Sequence, residues 1–311
     1  MQADIKKRGG GILLSCVLLC LLLLAVTQVE GMMHGVADAI SLCARSIIPS
    51  LFPFLVLCEL LLARRETKWL LSLLVRPLLR PLRLSAEGGT ALLLGVLFGF
   101  PLGARVTAQY FRRGEIGREE AERLLLFSGN ASPFFLIGSV GIGMLSSFAA
   151  GLFLYLLQIS LSLATGFLLA RFAPRPSAQG KHGHPSAPEE RLSLSATVKG
   201  AVHPSLYIAG YVLLFSAAAA VLLPFFEGTA LVRPIISLLE IGNACAYAAR
   251  VGDALSLPFC AFSVSFSGLS VFFQTLDVTD GTSLSLRRYL PVKLTLGAVA
   301  FFLAMLFPAF R

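Results

Sequence analysis

The sequence predicts an all-α polytopic membrane protein, with about seven transmembrane helices and two re-entrant hairpins arranged as two inverted-topology repeats. Three observations predict it. Of the 311 residues, 56% are apolar or aromatic and 14% are charged, and the mean hydropathy of +0.80 lies well above that of a water-soluble domain. The apolar residues fall in blocks of roughly 18 to 25, the length that crosses a hydrocarbon core of about 30 Å as helix, and they do not alternate as barrel strands would. The net charge of +9 comes from Lys and Arg gathered between the blocks without interleaved aromatics, which reads as membrane topology and excludes nucleic acid as a partner.

Residues 1–30 begin with Lys6, Lys7 and Arg8 and continue into a leucine-rich stretch. That pattern fits a signal peptide, but Val29, Glu30 and Gly31 make a poor cleavage site, so a retained first helix with a cytoplasmic N-terminus is expected. A first repeat, residues 36–172, opens with a span at 36–63 that carries Arg45, Pro49, Pro53 and Glu59 and runs inward to Arg64, Arg65 and Lys68. Residues 69–84 mix leucines with Arg76, Arg80, Arg83, Pro77 and Pro81, the composition of an amphipathic segment on the inner leaflet. The block at 90–104 is broken by Gly95, Gly99, Pro101 and Gly103 and followed by Arg105, Arg112, Arg113, Arg118 and Arg123. A full crossing there would put those arginines outside, so it reads as a hairpin entering from the cytoplasm. Blocks at 124–145 and 146–170 then cross outward and back.

Residues 173–196 turn to Pro, Ser, Gly, His and charge, a cytoplasmic linker too polar to fold alone. His182 and His184 within it lack partner ligands and read as solvated. The second repeat, residues 197–311, places a span at 200–226 and a hairpin from the outside at 231–250, broken at Pro234, Glu240, Gly242 and Asn243. A returning span at 255–276 then leaves Arg287, Arg288 and Lys293 in the cytoplasm, and a closing span follows at 290–310. The halves echo each other: the segment FSGNASPFF from Phe127 has a counterpart in FSVSFSGLS from Phe262, and Pro49 matches Pro204.

Irregular backbone in a bilayer belongs where it lines a cavity or packs on protein. In the first broken span Pro133 lacks an N–H and Gly129 tolerates unusual dihedrals, so the helix can open beside Ser128, Asn130 and Ser132 and offer donors to an anion. Ser265, Ser267 and Gln274 are expected on the opposite wall, with Gly268 as the break. The hairpins add Gly99, Pro101 and Gly103 with Arg105, and Gly242 and Asn243 beside Glu240. Arg105 either neutralises a carboxylate or anchors topology. Glu240 either takes a proton for coupling or pairs with Arg250, Arg45 and Glu59 each pair with other polar groups or snorkel from opposite ends of their span, and Asp253 caps a helix. The bland alternative is that these serines and glycines only permit close helix packing. No enzyme, cofactor or metal signature is present: there is no Walker loop, H-E-x-x-H or G-x-S-x-G, and the six cysteines form no C-x-x-C pair.

The stretch GFPLGARVTAQYFRRGEIGREEAERLLLFSGNASPFFLIGSVGIGML, with SFSGLSVFFQTLDV much later, resembles the YlbJ-type sporulation integral membrane proteins, within the wider group that carries nucleoside-recognition (gate) domains. The resemblance runs over about residues 38–306. It implies movement of dipicolinic acid across the outer forespore membrane, from mother cell towards forespore, and a core like that of concentrative nucleoside transporters, with two hairpins and two broken helices around a central substrate. A planar aromatic dianion would suit Ser and Asn donors, one Arg and an aromatic wall such as Phe134, Phe135, Phe272 or Phe273. A nucleoside would use the Asn and Gln instead. The resemblance leaves open a nucleoside-type transporter, a non-transporting scaffold of a spore-envelope complex, and a homo-oligomer or spore-membrane partner.

Overall fold

The computed structural model describes residues 15–16, 19–20, 22–173 and 193–307. Lys6 to Arg8, most of the expected linker with His182 and His184, and residues 308–311 lie outside the described residues. Among the described residues all regular structure is helical.

Helix α1, Val29–Leu42, runs through a π turn at Cys43–Ile47 into α2, Ile48–Ala63. The N–H of Gln28 donates to Leu24 and that of Met32 to Gln28, so helix continues across the place where the first and second spans were expected to part. A bend of 45° falls instead between Val29–Ile47 and Leu51–Ala63. Its cause is local: Pro49 and Pro53 each remove a helical N–H and crowd the carbonyl four residues back, and the π turn absorbs the strain. Helix α3, Arg65–Leu82, exposes Trp69, Leu70, Leu73 and Leu74 and buries Val75 and Leu82, the two-sided face of the amphipathic segment. Arg123 reads as a topology anchor in the sequence. Here its guanidinium is buried and holds the carbonyls of Leu82 and Arg83 where α3 ends.

Helices α4, Ala86–Phe98, and α5, Phe100–Arg112, form the first hairpin, longer at both ends than the 90–104 expected. The chain turns at Gly99, whose φ of +107° only glycine adopts without strain. Gly95 and Gly103 face each other across the hairpin: a Cβ on Gly95 would lie 3.0 Å from the Gly103 Cα. Helix α6, Arg118–Phe127, stops at Ser128, and after a non-helical stretch α7, a π-helix at Phe134–Met144, resumes behind Pro133. Helix α8, Phe148–Arg171, returns against α7, with Gly141 and Gly151 in backbone contact.

The second half follows the same order. Helix α9, Leu194–Leu222, extends through a 3-10 turn at Leu223–Phe226 and is not interrupted at Pro204. Helices α10, Val232–Leu239, and α11, Ile241–Val251, are separated by one extended residue, Glu240. The break is therefore Glu240: Pro234 lies in the first turn of α10, and Gly242 and Asn243 lie in the first turn of α11. Helices α12, Ser256–Phe266, and α13, Gly268–Thr279, part at Ser267 and Gly268, both in the left-handed region with φ of +79° and +67°. Ser263 and Ser265 stay helical, so the second break aligns with Ser132 and is narrower than the first. Helix α14, Tyr289–Met305, closes the fold along α12, where Gly297 lets the backbone of Phe262 approach.

Helices Phe148–Arg171, Leu194–Phe226 and Ser256–Thr279 are each long and apolar enough to cross a membrane, and the bent α1–α2 pair is a fourth. Two of the other expected crossings correspond to shorter apolar helices, Phe134–Met144 and Tyr289–Met305. The chain is all-α and polytopic, as its composition predicts.

Candidate functional site: a cavity between two hairpin tips and two broken helices

Each hairpin tip rests on the break of its own half. A Cβ on Gly99 would stand 3.5 Å from the backbone N and Cβ of Ser132, and one on Gly268 would stand 3.2 Å from the Leu239 carbonyl oxygen. The first tip–break pair, the second tip and α13, together with Ile47, Leu51, Ile208 and Val212, line a narrow cavity of about 80 Å³. Its wall is built by Gly99, Phe100 and Pro101 from the first tip, Ala131, Ser132 and Phe135 from the first break, Glu240 and Ile241 from the second tip, and Gln274 from α13. Pro101, Ile208 and Gln274 also line an adjoining cavity of about 310 Å³, whose polar residues include Arg105, Arg112, His203, Tyr207, Tyr211 and Asp277. The outer space falls within the range of small-molecule sites, and the inner one must widen to hold a ring-sized ligand.

The structure sorts the expected substrate residues into two groups. Ser132 and Gln274 reach the inner cavity and Arg105 the outer one. Arg105 donates from Nη2 to Glu59 Oε1 at 2.7 Å, so Glu59 does find a partner; the Nη1 of Arg105 is buried with none. Ser128, Asn130, Ser265, Ser267 and Asn243 do not line the inner cavity; Asn130 and Asn243 hold its frame, while the Ser128 and Ser267 hydroxyls are buried without a hydrogen-bond partner. Asn130 Nδ2 donates to the carbonyls of Phe127 and Ser128, 3.1 and 3.3 Å away, and to Ser162 Oγ at 3.2 Å. These satisfy carbonyls that the end of α6 leaves open. Gln158 on α8 ties the two broken helices together, accepting from the Ala131 N–H at 3.1 Å and donating to the Val264 carbonyl at 3.4 Å. Asn243 Nδ2 donates to Ser216 on α9. Ser265 is buried inside α12, and Ser267 forms the turn.

The aromatic wall also differs from expectation. Phe135 lines the cavity, joined by Phe98 and Phe100, whereas Phe134 is 56% exposed, Phe272 packs on Tyr289 and Phe273 on Phe215. Neighbours on a helical turn point in different directions, so Phe134 and Phe135 cannot share one wall.

The structure leaves Glu240 in its hairpin without the partner considered for it and places Lys293 where the sequence reading did not. Glu240 is buried, and its Oε2 accepts the Asn243 N–H at 2.7 Å, capping α11. Arg250, near the other end of that helix, makes no ion pair with it among the described residues. Lys293 does not lie in a loop: it is buried on α14 and donates from Nζ to the Gly129 carbonyl at 2.7 Å, inside the first break. The signal was present, since Lys293 falls within the apolar block at 290–310 and not ahead of it. Asp253 does not cap α12, whose N-terminus has no side-chain cap; its Oδ1 accepts the Leu255 N–H at 3.0 Å in the turn ahead of that helix. The Arg233 guanidinium beside it holds its carboxyl below the usual range.

The chain is 27% identical over 300 residues to the sporulation integral membrane protein YlbJ of Bacillus subtilis (strain 168), covering 84% of this chain and 73% of that relative. The YlbJ-type resemblance is borne out. No family model and no solved structure matches the chain. The match to YlbJ and the apolar helices together make this a multi-pass integral membrane protein.

Proposed function

We propose that the chain is a membrane transporter of a small organic anion, and that this anion is dipicolinic acid crossing the outer forespore membrane during sporulation. One observation carries the transport reading: two hairpin tips, the first helix break and the helix that follows the second break, far apart in sequence, meet at a single cavity that adjoins a larger polar one. Broken helices meeting at a shared site are the usual way a transporter exposes backbone donors to a solute within the bilayer. The sporulation function named for YlbJ directs the choice of substrate. Arg105 and Arg112 draw an anion into the outer cavity. Ser132 and Gln274 then offer neutral donors between the rings of Phe100 and Phe135.

Movement is by alternating access or facilitated diffusion, with one repeat shifting against the other about Gly99 and the Ser267–Gly268 turn. The N-terminus is cytoplasmic in this reading, and neither a catalytic step nor a cofactor enters it. A nucleoside-type substrate is the second reading, favoured by the Glu240 carboxylate in the cavity wall, which suits a hydroxylated neutral ligand.

Uptake of labelled dipicolinate and of uridine into liposomes carrying the purified chain separates these readings. Saturable dipicolinate uptake is expected. Uridine uptake alone moves the chain to the nucleoside reading, and uptake of neither rejects transport in favour of a scaffold.

The Arg105–Glu59 pair gives a second expectation. Glu59→Gln should change stability by less than about 1 kcal/mol, since the pair is partly solvated. It should also lower the KM for dipicolinate by freeing the guanidinium, while Arg105→Gln raises KM. Initial-rate uptake by the two variants tests this, and equal KM values would assign Arg105 to topology alone.

A further inference from the structure

Lys293 is a buried cation that nothing in the transport reading above employs. Its ammonium has three donors but makes a single hydrogen bond, to the Gly129 carbonyl. Among the described residues no carboxylate pairs with it. It otherwise faces the rings of Phe100 and Tyr289, with centroids 5.9 and 5.8 Å away. An uncompensated charge at such depth in a membrane protein is costly and marks a functional position.

Two features of the chain beside the ammonium suit a ligand oxygen. Gly129 presents no side chain to the ammonium, and even a Cβ there would remain 4.0 Å from Nζ. One residue earlier, the Ser128 hydroxyl is fully buried with no hydrogen-bond partner. Phe100 stands between the ammonium and the inner cavity, which it lines from the tip of the first hairpin. The charge therefore sits one side chain behind the cavity wall.

We propose that Lys293, with the Ser128 hydroxyl, is the subsite for a carboxylate of the substrate, and that Phe100 is the part of the wall that swings aside to admit it. The inference rests on the anion-transport reading and assigns its charge recognition. An arriving carboxylate exchanges the neutral Gly129 carbonyl for an ionised acceptor, so that donor and acceptor both carry charge. Displacing Phe100 moves the residue next to Gly99, so anion binding loosens the first tip from Ser132 and couples recognition to hairpin movement. Selectivity follows: carboxylates bind, and neutral analogues of the same shape do not.

The test is equilibrium binding of labelled dipicolinate to the purified full chain, with thermal unfolding measured on the same samples. Lys293→Met is expected to weaken binding roughly ten- to hundredfold. It should unfold at the same or a higher temperature, because a buried charge is replaced by an apolar chain of similar length. Lys293→Arg should keep part of the affinity, and Ser128→Ala, which removes only an unpartnered hydroxyl, should lose several-fold. The neutral diamide of dipicolinic acid should bind the wild-type chain weakly and Lys293→Met no worse. If Lys293→Met or, should that variant not fold, Ser128→Ala binds dipicolinate as tightly as wild type, Lys293 only caps the carbonyls after α6. That outcome removes this inference and leaves the transport reading standing. Wild-type protein that binds no dipicolinate removes both.

Discussion

Gly95→Ala is expected to leave little folded protein. The added Cβ would sit 2.2 Å from the Ser128 carbonyl oxygen and 3.0 Å from the Gly103 Cα, and both are backbone atoms of other elements. No rotamer change relieves such a clash, so the first hairpin must lift away from the first break. The carbonyl it strikes is also an acceptor for Asn130, so the strain reaches the hydrogen bonds that hold the break open. Overpacking of this kind costs about 1–3 kcal/mol and more where backbone is involved, a large share of a marginal stability. Gly210→Ala supplies the control, because nothing lies within 4 Å of its added Cβ and it occupies the interior of α9. That variant should gain about 0.5–1 kcal/mol from the helix preference of alanine. Thermal unfolding in one detergent compares the two, and similar midpoints would mean that the hairpin does not seat on the break.

Gln274→Ala is expected to lower the efficiency of dipicolinate uptake roughly five- to tenfold with little change in stability. Gln274 stands where the inner and outer cavities meet, and its Nε2 donates to Ser270 Oγ at 3.2 Å, one turn away on the same helix. Removing it takes a donor from the passage and little from the packing. Asn130→Ala should behave in the opposite way. It takes the side-chain donor from the Ser128 carbonyl and one of two from the Phe127 carbonyl, which keeps Ser162, so stability falls first, by about 1–3 kcal/mol, and uptake falls with the amount of folded chain. Uptake normalised to folded protein distinguishes a passage residue from a frame residue.

The contrast between Gln274 and Asn130 also shows what a sequence can reveal about such a site. Gly99 was legible as a turning point because an apolar block ahead of five arginines cannot cross without inverting the topology, and glycine is the residue that supplies the required dihedral. Gly268 was legible for the same conformational reason. The direction of a polar side chain within a break was not. Asn130 and Ser132 share one motif, yet one clamps carbonyls behind the wall and the other faces the cavity, a difference set by α8 packing from another part of the chain.

Lys293 was misplaced because charge counting assigns every lysine to a loop, whereas this one enters α14 and finds the Gly129 carbonyl. The expected interruption after residue 30 is absent because Gly31 sits among residues that continue a helix without difficulty, and the bend falls at Pro49 and Pro53 instead. Glu240 was named among four residues breaking the 231–250 hairpin but was not singled out as the break itself. A single extended residue with a self-capping carboxylate leaves no glycine or proline signature.

Substrate protection of single cysteines examines the inner cavity most directly. Ser132→Cys and Gln274→Cys, and as frame controls Asn130→Cys and Ser265→Cys, are introduced into a chain whose six native cysteines are replaced, then labelled with a small maleimide with and without dipicolinate. Labelling at 132 and 274 that dipicolinate slows, with slow labelling at 130 and 265 that it does not change, is the predicted result. Equal labelling at all four positions, or no protection by dipicolinate at 132 and 274, would contradict a substrate site between the hairpin tips and the helix breaks.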